Sequence, residues 1–169
     1  MNDANTNLID IAILVDAETM SSTLLAGNLK QPTVVPAPLI YMVARKDQVV
    51  FGQASKELKI TAQTGDIIRW HTTSLSFNDD YQVLLYEYHV LRGAPLLSEP
   101  VPLIIDAKMP LPNAAKPLQP GVQERKYHFW QATVLEPGEV TYAFNMMVLD
   151  SASKPLGYYY WDPFIAITA

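Results

Sequence analysis

The sequence predicts an all-β fold: an antiparallel β-sandwich of jelly-roll type, in one domain, with a proline-rich crossover loop. Three observations carry that prediction. Segments of strand length and strand composition recur along the chain, turn residues separate them, and only one stretch has room for a helical turn or two. The alternating helices that a parallel α/β sheet requires are not there to be read, and no internal repeat suggests a solenoid or propeller.

Each element follows in order. LIDIAILVD (8–16) is an apolar run of strand length, and AETMSSTLLAGN after it is the single candidate for helix. Strands are expected at 39–44, 49–54, 56–61 and 66–73, with Lys46-Asp47-Gln48 and Thr64-Gly65-Asp66 as turns. The longest is YQVLLYEYHVLR (81–92), where alternation puts Leu84, Tyr86, Tyr88 and Val90 on a buried face and Glu87 and His89 on a wet one. Six of the thirteen prolines fall within 99–121, which excludes a central strand and favours an extended edge or a crossover loop. KYHFWQATVL (126–135) and EVTYAFNMMVLD (139–150) flank Glu136-Pro137-Gly138 as a hairpin, and LGYYYWDPFIAITA (156–169) ends the chain as an aromatic strand.

Composition bounds the function. A chain of 169 residues suits one domain, 1–169 with a core from about 8 to 165, and a domain of this size buries roughly 70% of its unfolded surface. With 49% hydrophobic and 17% charged residues the chain is globular rather than disordered. The net charge of -5 argues against a nucleic-acid partner, which wants a basic stripe over the phosphates. The absence of cysteine removes disulfides, thiolate metal sites and cysteine nucleophiles, and fits a reducing compartment. The polar start MNDANTNLID lacks the marks of a signal peptide and no apolar run reaches membrane-span length, so a cytoplasmic protein with no membrane partner is expected.

Candidate chemistry is sparse. Asp16 and Glu18 at the end of an apolar strand resemble the metal-holding carboxylates of NYN- or PIN-type nucleases, but the alternating helices of that fold do not follow. His71, His89 and His128 are too far apart in sequence for a histidine metal pair, and blue copper requires a cysteine thiolate. Asn78, Asp79 and Asp80 form a polar loop that suits a turn better than a calcium site. No serine sits in a nucleophile elbow and no glycine loop cradles phosphate. No catalytic residue, metal or cofactor is expected.

The aromatics in YYYWDPFI pose the sharper question. Tyr158 and Tyr160 share one face of a strand, Tyr159 and Trp161 the other, so both faces need cover. Core packing on one side, with the proline-rich segment or a second subunit on the other, is the commoner solution; an exposed platform that stacks on sugar rings is the rarer one.

LVDAET, GDIIRWHTTSLSFNDDYQVLLY, FWQATVL with GEVTYAFNMMVLD, and LGYYYWDPFI together resemble, in order and from about residue 9 to 165, the bacterial inclusion-body protein family of PixA and AidA type. The short, proline-rich KQPTVVPAP departs from the pattern. The resemblance implies a small cytoplasmic protein of dense intracellular inclusions, under quorum or growth-phase control and associated with animal or plant hosts. It brings no catalytic residues. It implies fold-determining roles instead: Gly65-Asp66 as a turn, Trp70 and Trp130 as core, and Asp162-Pro163 as the stop after the last strand.

Two functions are then expected to compete. The first is a non-enzymatic, self-associating homo-oligomer, in the simplest case a dimer, joined through Tyr159, Trp161 and the 99–121 segment. The second is a lectin-like module for a carbohydrate or host ligand, with exposed members of Trp70, Trp130, Tyr160 and Trp161 stacking on it and Asp79, Asp80 or Asp162 accepting its hydroxyl protons.

Overall fold

The computed structural model describes residues 6–76, 80–93 and 95–168. Strands dominate it. In chain order they are β1 (Leu8–Val15), β2 (Thr33–Val34), β3 (Ile40–Val43), β4 (Val49–Phe51), β5 (Lys59–Gln63), β6 (Ile67–Ser74), β7 (Tyr81–Arg92), β8 (Val101–Leu111), β9 (Gly121–Thr133), β10 (Gly138–Asp150), β11 (Pro155–Trp161) and β12 (Phe164–Thr168), with a short α-helix, α1 (Ala17–Thr23), after β1 and single 3-10 turns at Ala37–Leu39 and Lys46–Gln48.

Two sheets share a single core. The first has the order β3-β1-β6-β9-β8; the second runs β2-β11-β10-β12-β5-β4, with β7 on the other side of β10. The all-β expectation stands, but purely antiparallel pairing does not. β1 pairs β6 in parallel, as β11 does β2 and β12 does β5. Both sheets are therefore mixed, which departs from the all-antiparallel jelly roll. The cause lies in long connections: Leu8–Val15 and Ile67–Ser74 are brought side by side only after three intervening strands, β2, β4 and β5, have gone to the second sheet.

Local chemistry explains the element ends. Asp16 caps α1, its Oδ1 accepting the Thr19 N–H at 3.1 Å, while Glu18 sits in the first turn where the helix dipole favours negative charge. The Gly65-Asp66 turn is as expected: Gly65 has φ +93, and the buried Asp66 carboxylate accepts N–H bonds from Asn7 and Gln63 at 3.0 and 2.8 Å.

Three expectations need correction. The segment 99–121 is not a crossover loop: β8 takes up Val101–Leu111 as an edge strand, with Pro102 and Pro110 inside it. An edge tolerates proline because one row of its amides has no neighbour to serve. In β7 the alternation changes phase, because a bulge inserts Tyr86 between Leu85, opposite Met146, and Glu87, opposite Asn145. Val83 and Leu85 are buried instead of Leu84 and Tyr86, and only beyond the bulge does Tyr88 pack against the core. Asp162-Pro163 is a jog rather than a stop. The Pro163 carbonyl accepts the Tyr142 N–H at 3.2 Å, and the chain continues as β12 along the same side of β10.

The core is aromatic at its centre. Phe144 on β10 lies 5.1–5.9 Å, centroid to centroid, from Tyr88, Trp70, Trp130, Trp161 and Tyr142. Ile9, Ile11, Ile13 and Val15, alternate residues of β1, line it from the first sheet.

Candidate functional site

The aromatic strand β11 divides its side chains as its period demands. Tyr159 and Trp161 are buried in the core; Tyr158 and Tyr160 are half-buried on the outer face. Residues 27–35, and not the proline-rich 99–121 segment, lie along β11, through the Gly27 bridge to Tyr158, β2, and the Val35 N–H to the Tyr160 carbonyl at 3.0 Å. Gly27 is required there, since a Cβ would stand 2.4 Å from the Tyr158 oxygen.

Two of the tryptophans, Trp70 and Trp161, have no face left for a ligand, and Trp130 shows only an edge to a surface cavity. Trp70 and Trp161 are 0% exposed and Trp130 is 8%. Each indole N–H is used inside: Trp70 donates to the Tyr142 hydroxyl at 2.9 Å, Trp130 to the Leu85 carbonyl at 3.2 Å, and Trp161 to the Met42 sulfur at 3.4 Å. Burial drives the Tyr142 and Tyr88 hydroxyls far above the usual phenol range, and both stay neutral. The fold thus brings Trp70, Trp130 and Trp161 together around Phe144, as packing. Asp80 is exposed before β7; Asp162 lies 3.8 Å from the Lys56 ammonium. Asp79, with Asn78, lies outside the described residues.

Two surfaces carry features that sequence reading did not assemble. On the outer face of the second sheet, the β7 bulge turns Glu87 and His89 toward Asn145, a buried polar residue at the middle of β10. The Asn145 Nδ2 donates to Glu87 Oε2 at 2.8 Å and lies 3.0 Å from His89 Nε2. Tyr160, Leu29 and Pro32 wall the shallow cleft of about 340 Å³ above them. Glu87 and His89 were readable as the wet face of their strand, but Asn145 is 58 residues from Glu87 and has no local signal.

The second surface is a ribbon. β9 pairs with β6 only from Trp130 to Thr133, whereas its pairing with β8 runs from Gly121↔Leu111 to Gln131↔Val101. The far part of the β8–β9 hairpin therefore projects as a two-stranded arm. One face carries cross-strand ion pairs, Lys126–Asp106 at 2.5 Å and Lys108–Glu124 at 3.3 Å. The other carries Val101, Leu103, Ile105, Ala107, Met109 and Leu111, every second residue of β8. Beside that file β9 sets Phe129 and Tyr127 near the body and Arg125 and Gln123 farther out, while Ile104, 72% exposed, and Val122, 66%, lie on the face of the ion pairs. At the base, on the outer face of the first sheet, Arg69 grips Asp10 with Nε and Nη2 at 2.6 and 2.9 Å and lies 5.1 Å from the Phe129 ring. His71 stacks on Tyr127 with centroids 4.5 Å apart, and burial pulls its pKa below the ordinary histidine value.

Among the described residues no three His, Cys, Asp or Glu side chains gather to hold a metal ion, and no helix is long and apolar enough to cross a membrane. The fold and its surfaces define a two-sheet, mostly β protein with a projecting two-stranded arm. The sequence profile of the PixA inclusion body protein family matches residues 7–167, and the chain belongs to that family. A crystal structure of an inclusion body protein of the PixA family from Burkholderia cenocepacia J2315 shares the fold, with a TM-score of 0.82 and 17% identity over 99% of each chain. A cysteine protease inhibitor of Entamoeba histolytica (16% identity, 65% of this chain and 86% of that one, TM-score 0.29) and the solution structure of Amebosin (10%, 73% and 93%, TM-score 0.28) are too distant to carry an argument. No curated protein matches the chain.

Proposed function

We propose that this chain is a non-enzymatic assembly protein whose function is to associate with copies of itself. One observation carries the reading: a long β-ribbon, whose edge strand β8 carries an apolar file along one face, stands clear of the body that would otherwise cover it. An isolated two-stranded hairpin is marginal in water, and an exposed sheet edge is a template for pairing with another chain. Family membership supports it, since the family is described as inclusion body proteins. Deposition in cytoplasmic inclusions, quorum or growth-phase control and host association complete the proposal. Immunogold labelling across a growth curve tests that part.

The molecular test is size-exclusion chromatography with light scattering over a wide concentration range. The wild-type mass is expected to rise reversibly with concentration, and an Ile105→Asp variant to stay at the protomer mass. A wild-type protein that remains a monomer at the highest concentration overturns the reading.

The cleft at Glu87, His89, Asn145 and Tyr160 favours a second reading, a small-ligand or carbohydrate module. A ring, a carboxylate and an amide together suit a polyhydroxylated ligand. Binding on a glycan array that is lost in Tyr160→Ala and Glu87→Gln would establish it.

A further inference from the structure

We propose that two copies join edge to edge through β8, antiparallel across a two-fold axis centred on Ala107, so that the five-stranded sheets merge into one. This rests on the self-association reading and specifies its register. The strand is the free edge of its sheet, and it reads VPLIIDAKMPL. Laid against itself antiparallel about Ala107, it is self-complementary. Asp106 falls opposite the second copy's Lys108, and Lys108 opposite the second copy's Asp106. Leu103 meets Leu111, Ile105 meets Met109, and Ala107 meets itself on the apolar face.

The charges extend the match beyond the edge. Within one copy Asp106 already faces Lys126 and Lys108 faces Glu124. The joined sheet then carries rows of four alternating charges: Lys126, Asp106, and the second copy's Lys108 and Glu124. Directly opposite unlike charges stabilise strand pairs and like charges oppose them. A shift of the edge by two residues sets Asp106 or Lys108 opposite its own copy, and a shift by one sets the apolar file against the charged one.

The prolines agree with the register. Proline has no N–H to give, so within an edge strand it belongs at positions whose backbone points away from the neighbour. Pro102 and Pro110 share one parity with Ile104, Asp106 and Lys108. Those residues therefore present their backbone outward, and Asp106 and Lys108 form the hydrogen-bonded pairs of the new ladder. Ala107 forms a non-hydrogen-bonded pair with its own copy, a geometry in which Cα atoms approach to about 4.5 Å. Pro102 and Pro110 limit the ladder to its centre, which favours a closed dimer over slipped pairing.

Charge reversal tests the register. Asp106→Lys leaves two positive charges on the edge and Lys108→Asp two negative ones. Each variant alone is expected to dissociate about a hundredfold more readily than wild type in sedimentation equilibrium, and an equimolar mixture of the two to recover a heterodimer. Both positions are exposed, so circular dichroism should match wild type. Independently, Ala107→Cys in this cysteine-free chain should oxidise to a covalent dimer, since its Cα spacing suits a disulfide, whereas Leu103→Cys, facing Leu111, should not. If the wild type is monomeric throughout, the self-association reading fails and this register with it. If the wild type associates while each charge variant still dimerises alone and Ala107→Cys does not cross-link, self-association stands and the β8 register is overturned.

Discussion

The body of the molecule and its β8–β9 arm spend their apolar residues in opposite ways. The body encloses large rings: Trp70, Trp161, Tyr142, Tyr159 and Phe144 are each fully buried, and Trp70, Tyr142 and Trp161 direct their polar atoms at particular partners. The arm displays small aliphatic side chains in a single file, backed by ion pairs on the reverse face. Rings fix one internal geometry, because their shape and quadrupole admit few packings. An alternating aliphatic strand fixes only which face is apolar and leaves its cover to whatever shares its period. Aromatic content here accounts for the fold, and aliphatic periodicity carries the proposed association.

The largest effect that would break this contrast is predicted at Phe144. Phe144→Ala removes the ring that touches three tryptophans and two tyrosines, and is expected to destabilise folding by about 3–5 kcal/mol in urea or guanidinium unfolding. A loss under 1 kcal/mol would show that the aromatic cluster is not the organising centre.

Two hydroxyl deletions sharpen it with opposite signs. Tyr142→Phe strands the Trp70 indole N–H in a dry core and should cost about 1–3 kcal/mol. Tyr88→Phe removes a buried hydroxyl that has no hydrogen-bond partner, so the same chemical change should be neutral or stabilising. Equal losses from both would mean that ring packing, and not hydrogen bonding, sets the outcome.

A smaller effect is expected at the base of the arm. The His71 pKa is lowered in the folded state, chiefly by desolvation, so the unfolded chain takes up the proton more readily. Stability contributed by neutral His71 is complete above the unfolded pKa of 6.5, declines as the pH falls through it, and levels off below the folded pKa. His71→Gln should flatten the denaturation midpoint between pH 8 and pH 5 relative to wild type, and an unchanged slope would move the titration to other groups.

What was legible beforehand follows the same physics. Strands β1, β6, β9 and β10 announce themselves because a half-buried strand writes its period into neighbouring residues. The Tyr159/Trp161 face was readable for the same reason. The parallel partnerships of β1 with β6 and β12 with β5 were not, since register between distant segments leaves no local mark. Prolines left 99–121 open between an extended edge and a crossover loop although the odd positions of β8 alternate without a fault; the edge is what forms, because an edge strand relaxes the rule that proline breaks sheets. The Tyr86 bulge hid the inward turn of Val83 and Leu85, because one inserted residue reverses every face assignment drawn before it; the Glu87–His89–Asn145 cluster was hidden by the 58 residues between Glu87 and Asn145.

The smallest effect on folding separates the two regions most cleanly. Ile105 lies on the arm's apolar file and is substantially exposed, so Ile105→Ser should change the intrinsic stability of the protomer by no more than about 0.5 kcal/mol. Its consequence should appear in the dependence on concentration instead. Association stabilises the folded state by mass action, so the wild-type melting temperature should climb as the protein is concentrated. Phe144→Ala should lower the whole curve at every concentration, while Ile105→Ser should leave its dilute limit in place and abolish the climb. If Ile105→Ser instead lowered the dilute limit as a core substitution does, the arm would be part of the folding unit. Its exposed file would then serve the protomer and not a second copy.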